Sequence, residues 1–205
     1  MKPDFATISS IEAERPETWQ DHIFLTFDMD WAADEILADT IELVERADAS
    51  ATWFVTHDTP LLERLRANPK MELGIHPNFN FLLYGDFRNG ASSREVIDRL
   101  MTIVPEATAV RSHSITQSSV LLNEFKSVGV THDVNYLVPS GADIFVRPWR
   151  LWNQMVRVPY IWEDDMYCLY QDTIHPELEP AAIVADALGG GGSFQLPSHP
   201  RFSQH

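Results

Sequence analysis

The stretch FLTFDMDWAADE, Phe24 to Glu35, joins an apolar strand to an acidic segment. Side chains along a strand repeat every second residue, so Asp28 and Asp30 are predicted to share one face. Two carboxylates held that close raise each other's pKa. We therefore expect a compensating group beside them.

The segments around this stretch repeat one pattern, in which a short apolar run is followed by an amphipathic helix. Near one face of the first predicted helix lie Ile36, Thr40, Leu43 and Ala47. Successive units of this length predict parallel strands with right-handed crossovers, in a barrel or a doubly wound sheet. The pattern predicts strands at 22–28, 50–56, 71–77, 108–113, 130–136, 144–149, 155–162, 166–171 and 193–197, and helices at 33–48, 59–68, 92–104, 116–129 and 176–188.

The composition limits the classes of partner. The chain has 205 residues, 44% of them hydrophobic, which is enough for one domain with a core. Its 30 acidic and 15 basic residues give a formal charge of -15, which argues against nucleic acid or an anionic bilayer as the main partner. The single cysteine, Cys168, can form no internal disulfide, and no apolar run reaches the ~20 residues of a membrane span.

The two ends of the chain differ from its middle. The first 20 residues lack the continuous apolar core of a signal peptide, so we expect a cytoplasmic protein. The chain ends five residues after Pro200, which suggests an atypical C-terminal tail. We expect one domain over residues 1–205, with an N-terminal extension at 1–20 and this tail at 189–205; the sequence does not indicate an oligomeric state.

Polar side chains follow nearly every predicted strand. The carboxyl ends of parallel strands meet at one rim, where α/β enzymes build their active sites. Carboxylates and imidazoles at one rim suit zinc or a similar divalent ion, whose charge would remove the repulsion between Asp28 and Asp30. The residues are Asp28 and Asp30 after the first strand, His57 and Asp58 after the second, His76 after the third, Arg111 and His113 after the fourth, His132 and Asp133 in the fifth, and His199 after the last.

The motif LTFDMDWA, residues 25–32, resembles the first motif of the polysaccharide deacetylase family, which has the NodB-homology fold. The sequence is most similar to the WbmS-like branch found in O-antigen gene clusters. The resemblance implies a distorted (β/α)₇ barrel and a metal-dependent hydrolase that removes an N-acetyl or similar acyl group from a sugar. It covers about Ile23 to Tyr170 and continues through ELGIHPNFN, VRSHS, HDVNYLVP and RVPYIWEDD.

The resemblance also implies roles for the rim residues. Asp28 corresponds to the family's general base, and Asp30 to its acidic metal ligand. Arg111 corresponds to the arginine that holds the catalytic aspartate. The family's second motif has two histidine ligands separated by three residues, and in HPNFN these positions are His76 and Asn80.

The asparagine at position 80 leaves the ligand set open. An amide oxygen binds hard cations but is a poorer zinc ligand than imidazole. His113 lies two residues after Arg111 and so could face the same rim. We predict that Asp30, His76 and His113 bind one divalent ion, with zinc the best match, and that Asn80 is the alternative ligand.

The segment RVPYIWEDD has side chains suited to binding a carbohydrate. Aromatic faces pack on sugar rings, and carboxylates accept hydrogen bonds from sugar hydroxyls. The candidate substrate residues are Tyr160, Trp162, Glu163 and Asp164. A run of acidic residues is equally typical of a solvated loop. His199, in SHP, is the remaining match to the general acid that follows the family's last strand.

Two classes of function follow from these expectations. The first is a metal-dependent carbohydrate deacetylase that hydrolyses a C–N amide bond. The alternative is a sugar-binding protein that kept the barrel but lost turnover, because Asn80 replaces a histidine and His199 lies in an atypical tail. An unrelated metal-dependent barrel hydrolase would need paired histidines near the first strand, which TFDMDWA lacks.

Overall fold

The structure, a computed structural model, describes residues 4–138, 146–163 and 193–195. Within these ranges the strands are β1 (Asp4–Phe5), β2 (His22–Ile23), β3 (Leu25–Asp28), β4 (Ala51–Val55), β5 (Met71–Ile75), β6 (Ala109–Val110), β7 (His132–Leu137), β8 (Trp149–Arg150), β9 (Val156–Trp162) and β10 (Ser193–Gln195). The helices are α1 (Asp34–Arg46), α2 (Leu61–Ala67), α3 (Asn80–Leu83), α4 (Ser93–Ile103) and α5 (Ser119–Ser127), with short 3-10 turns at Ile8–Ser10, Pro16–Thr18 and His113–Ile115.

The parallel strands curl into a ring. Their order is β3–β4–β5–β6–β7–β9–β10, and β10 pairs in parallel with both β9 and β3. β8 pairs antiparallel with the first residues of β9, and β1 and β2 form a separate two-stranded sheet. The ring confirms the predicted distorted (β/α)₇ barrel and decides against a doubly wound sheet.

Side chains along the strands alternate between two buried layers. Phe27 and Trp53 pack with helix residues such as Leu37, which places their layer between the ring and the helices. The other cluster, which includes Phe54, has no described member on α1–α5 and fills the interior of the ring. Asp28 follows Phe27 directly, so its side chain points into the interior.

The N-terminal segment, residues 4–20, closes the amino end of the ring. Ile8 and Ile11 belong to the interior cluster, and the backbone N–H of Ile8 donates to Thr52 Oγ1 at 3.0 Å. Burial lowers the pKa of His132, whose Nε2 donates to the carbonyl of Ile11 at 2.9 Å. Because His132 begins β7, it lies at the opposite end of the ring from the predicted rim. The segment predicted as an extension is thus part of the core in its described portion.

The interior is narrow enough to require glycine at position 74. A Cβ there would lie 2.7 Å from Cδ1 of Phe54 and 2.8 Å from the carbonyl oxygen of Ala109. Neither atom is the end of a flexible side chain. The absence of a side chain on Gly74 therefore permits the close contact between β5 and its neighbouring strands.

The predicted apolar face of α1 is wrong by one residue. The buried residues of α1 are Leu37, Ile41 and Val44, whereas Leu43 is 59% exposed. Sequence periodicity allows both faces, and the face that packs against the ring is the wholly apolar one, without Thr40. No helix within the described ranges has the length and apolar character needed to cross a bilayer.

Replacing Ile8 with valine is expected to lower the free energy of unfolding by about 0.5–1.5 kcal/mol, because a methylene is lost from a fully buried site. The control is Val120→Ala on α5. It removes more carbon, but from a side chain that is 62% exposed, and should change stability by less than about 0.5 kcal/mol. Urea denaturation measures both. Equal effects would contradict the packing of the N-terminal segment inside the ring.

Candidate active site

Asp28, the last residue of β3, is fixed by Arg111, which follows β6. Nη1 of Arg111 donates to Oδ1 of Asp28 at 3.1 Å, and Nη2 donates to Oγ1 of Thr26 at 2.9 Å. The buried guanidinium lies 4.7 Å from the ring centre of Phe54 and 4.5 Å from that of Tyr160. These contacts restrict its orientation, so the Asp28 carboxylate is held at the rim.

Three potential ligand atoms converge beside Asp28. Oδ1 of Asp30 lies 3.2 Å from Nε2 of His76 and 3.2 Å from Nδ1 of His113. The two imidazole nitrogens are 3.4 Å apart. The other nitrogen of His76, Nδ1, lies 3.5 Å from Asp28 Oδ1, although the contact lacks hydrogen-bond geometry. His76 thus separates the two acidic side chains and directs Nε2 to the cluster.

This triangle has the dimensions of a zinc site. Atoms about 2.0–2.2 Å from a tetrahedral zinc ion lie about 3.3–3.6 Å from one another, close to the 3.2 to 3.4 Å found here. A catalytic zinc site has three protein ligands and one open position. The side chains of Asp30 and His113 are each 30% exposed, so the open position would face solvent.

The surroundings of Asp30 favour its ionised form. Burial alone raises the pKa of this carboxyl, but the hydrogen bonds and charges of His113 and His76 outweigh burial and hold the pKa well below its ordinary range. Asp30 is therefore a carboxylate at neutral pH. It need not lose a proton before it binds a cation.

A strained turn directs Asp30 to the histidines. Asp30 and Trp31 have φ values of 40° and 57°, in the left-handed region that side chains other than glycine rarely adopt. Such residues cost about 1–3 kcal/mol each, so neighbouring groups must hold them. The backbone N–H of Trp31 donates to Oγ1 of Thr56 at 3.2 Å. The turn separates the contacts of the two acids, because Asp28 pairs with Arg111 and Asp30 with the histidines.

A buried amide supports the segment that carries Arg111 and His113. Oδ1 of Asn135 accepts a hydrogen bond from the backbone N–H of Ser112 at 2.7 Å, and its Nδ2 donates to Oδ1 of Asp133 at 2.7 Å. Asn135 and Asp133 are fully buried. Ser112 lies between the two functional residues, so Asn135 fixes the backbone from which both project.

Replacing Asn135 with alanine is expected to destabilise the protein by about 1–3 kcal/mol, because the N–H of Ser112 loses its buried partner. Metal affinity should also fall, by about 10–100-fold, as when an outer partner of a ligand is removed. Asn123→Ala, at an exposed position of α5, is the control and should alter neither property. Urea denaturation and metal titration measure the effects; unchanged values in Asn135→Ala would contradict this supporting role.

A model of the WbmS-like polysaccharide deacetylases matches residues 25–186 of the chain. The chain belongs to this family. The matched range includes Asp28, Asp30, His76, Arg111 and His113 and ends before His199. The match agrees with the resemblance in the sequence motifs.

Two solved structures resemble this deacetylase family member. A crystal structure of a candidate polysaccharide deacetylase involved in O-antigen biosynthesis from Bordetella bronchiseptica is 45% identical, has a TM-score of 0.85, and is matched over 96% of this chain and 79% of that chain. A candidate polysaccharide deacetylase from Mycobacterium smegmatis is 15% identical, with a TM-score of 0.54 over 97% of this chain and 83% of that chain, and shows the fold alone. No protein with a curated description matches the chain.

Asn80 is where this family member departs from the family's paired histidines. Asn80 begins α3, and its Nδ2 donates to Oγ of Ser114 at 2.9 Å. Ser114 directly follows His113, so Asn80 braces the turn that carries this histidine. Among the described residues, the structure brings His113 into contact with both Asp30 and His76, and Asn80 with neither.

Of the four residues predicted to bind substrate, the structure describes the side chains of Tyr160 and Glu163. Tyr160 is fully buried, and its hydroxyl donates to Oε2 of Glu163 at 3.4 Å. Burial raises the pKa of the Tyr160 phenol well above its ordinary value, so the hydroxyl keeps its proton. This packing favours support of Arg111 over the direct sugar contact that the sequence suggested. The side chain of Trp162, Asp164 and His199 lie outside the described residues.

Two residues of this site, Trp31 and Asn135, had no predicted role. Trp31 is 46% exposed and contacts His113 edge-on, with ring centres 5.3 Å apart. Its exposure depends on the left-handed turn, which no periodicity predicts. Asn135 does carry a signal, because it follows Asp133 by two residues and so shares its face of β7.

Proposed function

We propose that the protein is a metal-dependent hydrolase that removes an N-acetyl or similar acyl group from a sugar, in polysaccharide or O-antigen metabolism. The observation that carries this proposal is the triangle of Asp30, His76 and His113 beside a separate carboxylate, Asp28, which Arg111 holds. The family and the relative from B. bronchiseptica support a carbohydrate substrate. The cytoplasm is the compartment expected from the sequence.

Asp30, His76 and His113 would hold a divalent ion in this proposal, and zinc suits the ligand set. The chemistry supplied by such an ion is Lewis acidity toward the acyl oxygen and a lowered pKa for water. His76 keeps Nε2 toward the cluster because its Nδ1 faces Asp28. The cluster is therefore assembled before substrate binds.

Asp28 acts as the general base. Its carboxylate lies beside the cluster but pairs with Arg111 and is not one of the three candidate ligands, so it can accept a proton from the attacking water. In the hydrolysis, the water oxygen bonds to the acyl carbon, the C–N bond breaks, and the amine nitrogen gains a proton. His199 is the predicted donor of that proton.

The proposed function is tested by metal analysis and acetate release. Purified protein is expected to contain about one divalent ion per chain and to release acetate from N-acetylated sugars. A chelator should abolish the release, and zinc should restore it. Sugar binding without acetate release, in protein that contains metal, would instead support the binding protein suggested by Asn80.

A further inference from the structure

A shallow pocket, open to solvent, adjoins His76 at the rim of the barrel. We call it the rim pocket, and its polar and aromatic wall consists of Trp31, Thr56, His76, Asn78, Asn89 and Arg99. Because His76 belongs both to the pocket and to the proposed metal cluster, a molecule in the pocket lies next to the reaction centre. The wall therefore contributes to the choice of substrate.

Trp31 supplies an aromatic surface to the rim pocket. Its side chain is 46% exposed, and its described ring contact is the edge-on one with His113. A strained backbone at φ 57° holds this aromatic side chain partly exposed to solvent at the rim. An aromatic face held open beside a reaction centre suits the apolar face of a sugar ring.

Arg99 supplies a positive charge to the same wall. It lies on α4, and its Nη1 donates to Oδ1 of Asn89 at 2.9 Å. No carboxylate of the described residues pairs with Arg99, although the chain has 30 acidic residues against 15 basic ones. Glu95, one helical turn before it, is occupied elsewhere, because its Oε2 accepts from the backbone N–H of Ala91 at 2.8 Å.

Asn78 adds a hydrogen-bond donor between these groups. Its Oδ1 accepts from the backbone N–H of Asn80 at 2.9 Å, and no described residue accepts from its Nδ2. An aromatic face, an amide donor and an arginine thus line one pocket. A neutral sugar would use the first two groups, whereas the arginine gains a charged partner only when the ligand brings an anion.

We propose that the rim pocket binds a sugar unit that carries an anionic oxygen group, with its ring against Trp31 and its charge paired with Arg99. The shared chemistry is a carboxylate or a phosphate, either of which accepts two hydrogen bonds from a guanidinium. This inference rests on the proposed function, since it names the class of acylated sugar that the site accepts. It goes beyond that function because deacetylation itself requires no charge on the sugar.

The test is equilibrium binding, followed by ligand-observed NMR, of three N-acetylated probes. They are N-acetylglucosamine, N-acetylglucosaminuronic acid and N-acetylglucosamine 1-phosphate. Wild-type protein should bind one or both charged probes about tenfold or more tightly than the neutral one, and comparison of the two charged probes distinguishes carboxylate from phosphate. Trp31→Ala should weaken the binding of all three probes by a similar factor.

Arg99→Gln should abolish the preference for charged probes and leave the neutral probe unchanged. The matched control is Arg94→Gln on the same helix, which removes the same charge from an arginine paired with Asp98 at 2.7 Å. Equal affinities of the wild type for charged and neutral probes, or equal losses in the two variants, would overturn the proposal.

Acetate release separates this proposal from the proposed function. Release from charged and neutral probes with equal kcat/KM would support a deacetylase and overturn the anionic subsite. Arg99-dependent binding of a charged probe without any acetate release would support the subsite and count against the deacetylase.

Discussion

Replacing His113 with alanine is expected to lower zinc affinity by much more than 100-fold, because one of three converging ligand atoms is lost. Nδ1 of His113 lies 3.2 Å from Oδ1 of Asp30 and 3.4 Å from Nε2 of His76, so its loss removes one corner of the triangle. Calorimetric titration of metal-free protein with zinc measures the affinity directly.

Asn80→Ala is the informative comparison for His113→Ala. The Asn80 side chain contacts Ser114, so its loss should weaken zinc binding by at most about 10–100-fold, through the turn that carries His113. Circular dichroism establishes that both variants are folded. If Asn80→Ala loses more affinity than His113→Ala, the asparagine belongs to the ligand set, and the binding-protein alternative becomes the better account of the chain.

Asp28→Asn is expected to lower kcat for acetate release by about 10²–10⁴-fold, because an amide cannot accept the proton of the attacking water. The change keeps the size of the side chain and an oxygen that can accept from Nη1 of Arg111. Zinc affinity should fall by no more than about 10–100-fold, as for outer partners of metal ligands, since Asp28 lies outside the triangle and faces Nδ1 of His76. Initial rates at saturating substrate and zinc measure kcat.

Asp39→Asn provides the control for a general effect of lost charge. Asp39 is exposed on α1, and its replacement should leave kcat unchanged. Urea denaturation shows whether Asp28→Asn is folded at the assay temperature, since Arg111 then lacks a charged partner in a buried site. A folded Asp28→Asn protein with kcat within threefold of wild type would exclude Asp28 as the base.

Much of the barrel is predictable from the sequence, because its strands are short apolar runs and two of its helices, α4 and α5, begin at serine caps. The helix predicted at 92–104 is α4, and Ser92 Oγ accepts from the backbone N–H of Glu95 as a cap should. The predicted strand at 50–56 contains β4 and the one at 71–77 contains β5. These elements depend on local pattern, which a single sequence carries in full.

The candidate site is less predictable, because its contacts join segments far apart in the chain. Parallel strands share a direction, so residues that follow their carboxyl ends lie at one rim. This rule correctly predicted that Asp28, Asp30, His76 and His113 are neighbours. The same rule placed His132 at that rim, whereas the structure places it at the start of β7. Alternation along a strand predicts the face on which a side chain lies. It does not predict where the strand begins, and so does not show whether a polar residue lies at its amino or its carboxyl end.

The turn after β3 and the burial of Tyr160 show a second limit. Asp30 and Trp31 adopt consecutive positive φ values, which are uncommon outside glycine and costly for a bulky residue such as tryptophan, so tertiary contacts such as the bond to Thr56 support the turn. Tyr160 is an aromatic residue near acidic ones, as in a sugar-binding wall, yet Arg111 covers its ring. The conformation of this turn and the burial of Tyr160 both depend on contacts with residues that are distant in the sequence.

β10 comes last of the described strands in the chain but lies in the ring between β3 and β9. During synthesis, the edge of β3 that pairs with β10 stays unpaired until β10 has been made. The corresponding edge of β9 is covered by β8 only at its first residues. Unpaired edges of parallel strands can pair with other chains. The nascent protein is therefore open to aggregation for most of its synthesis, at edges that the finished barrel covers.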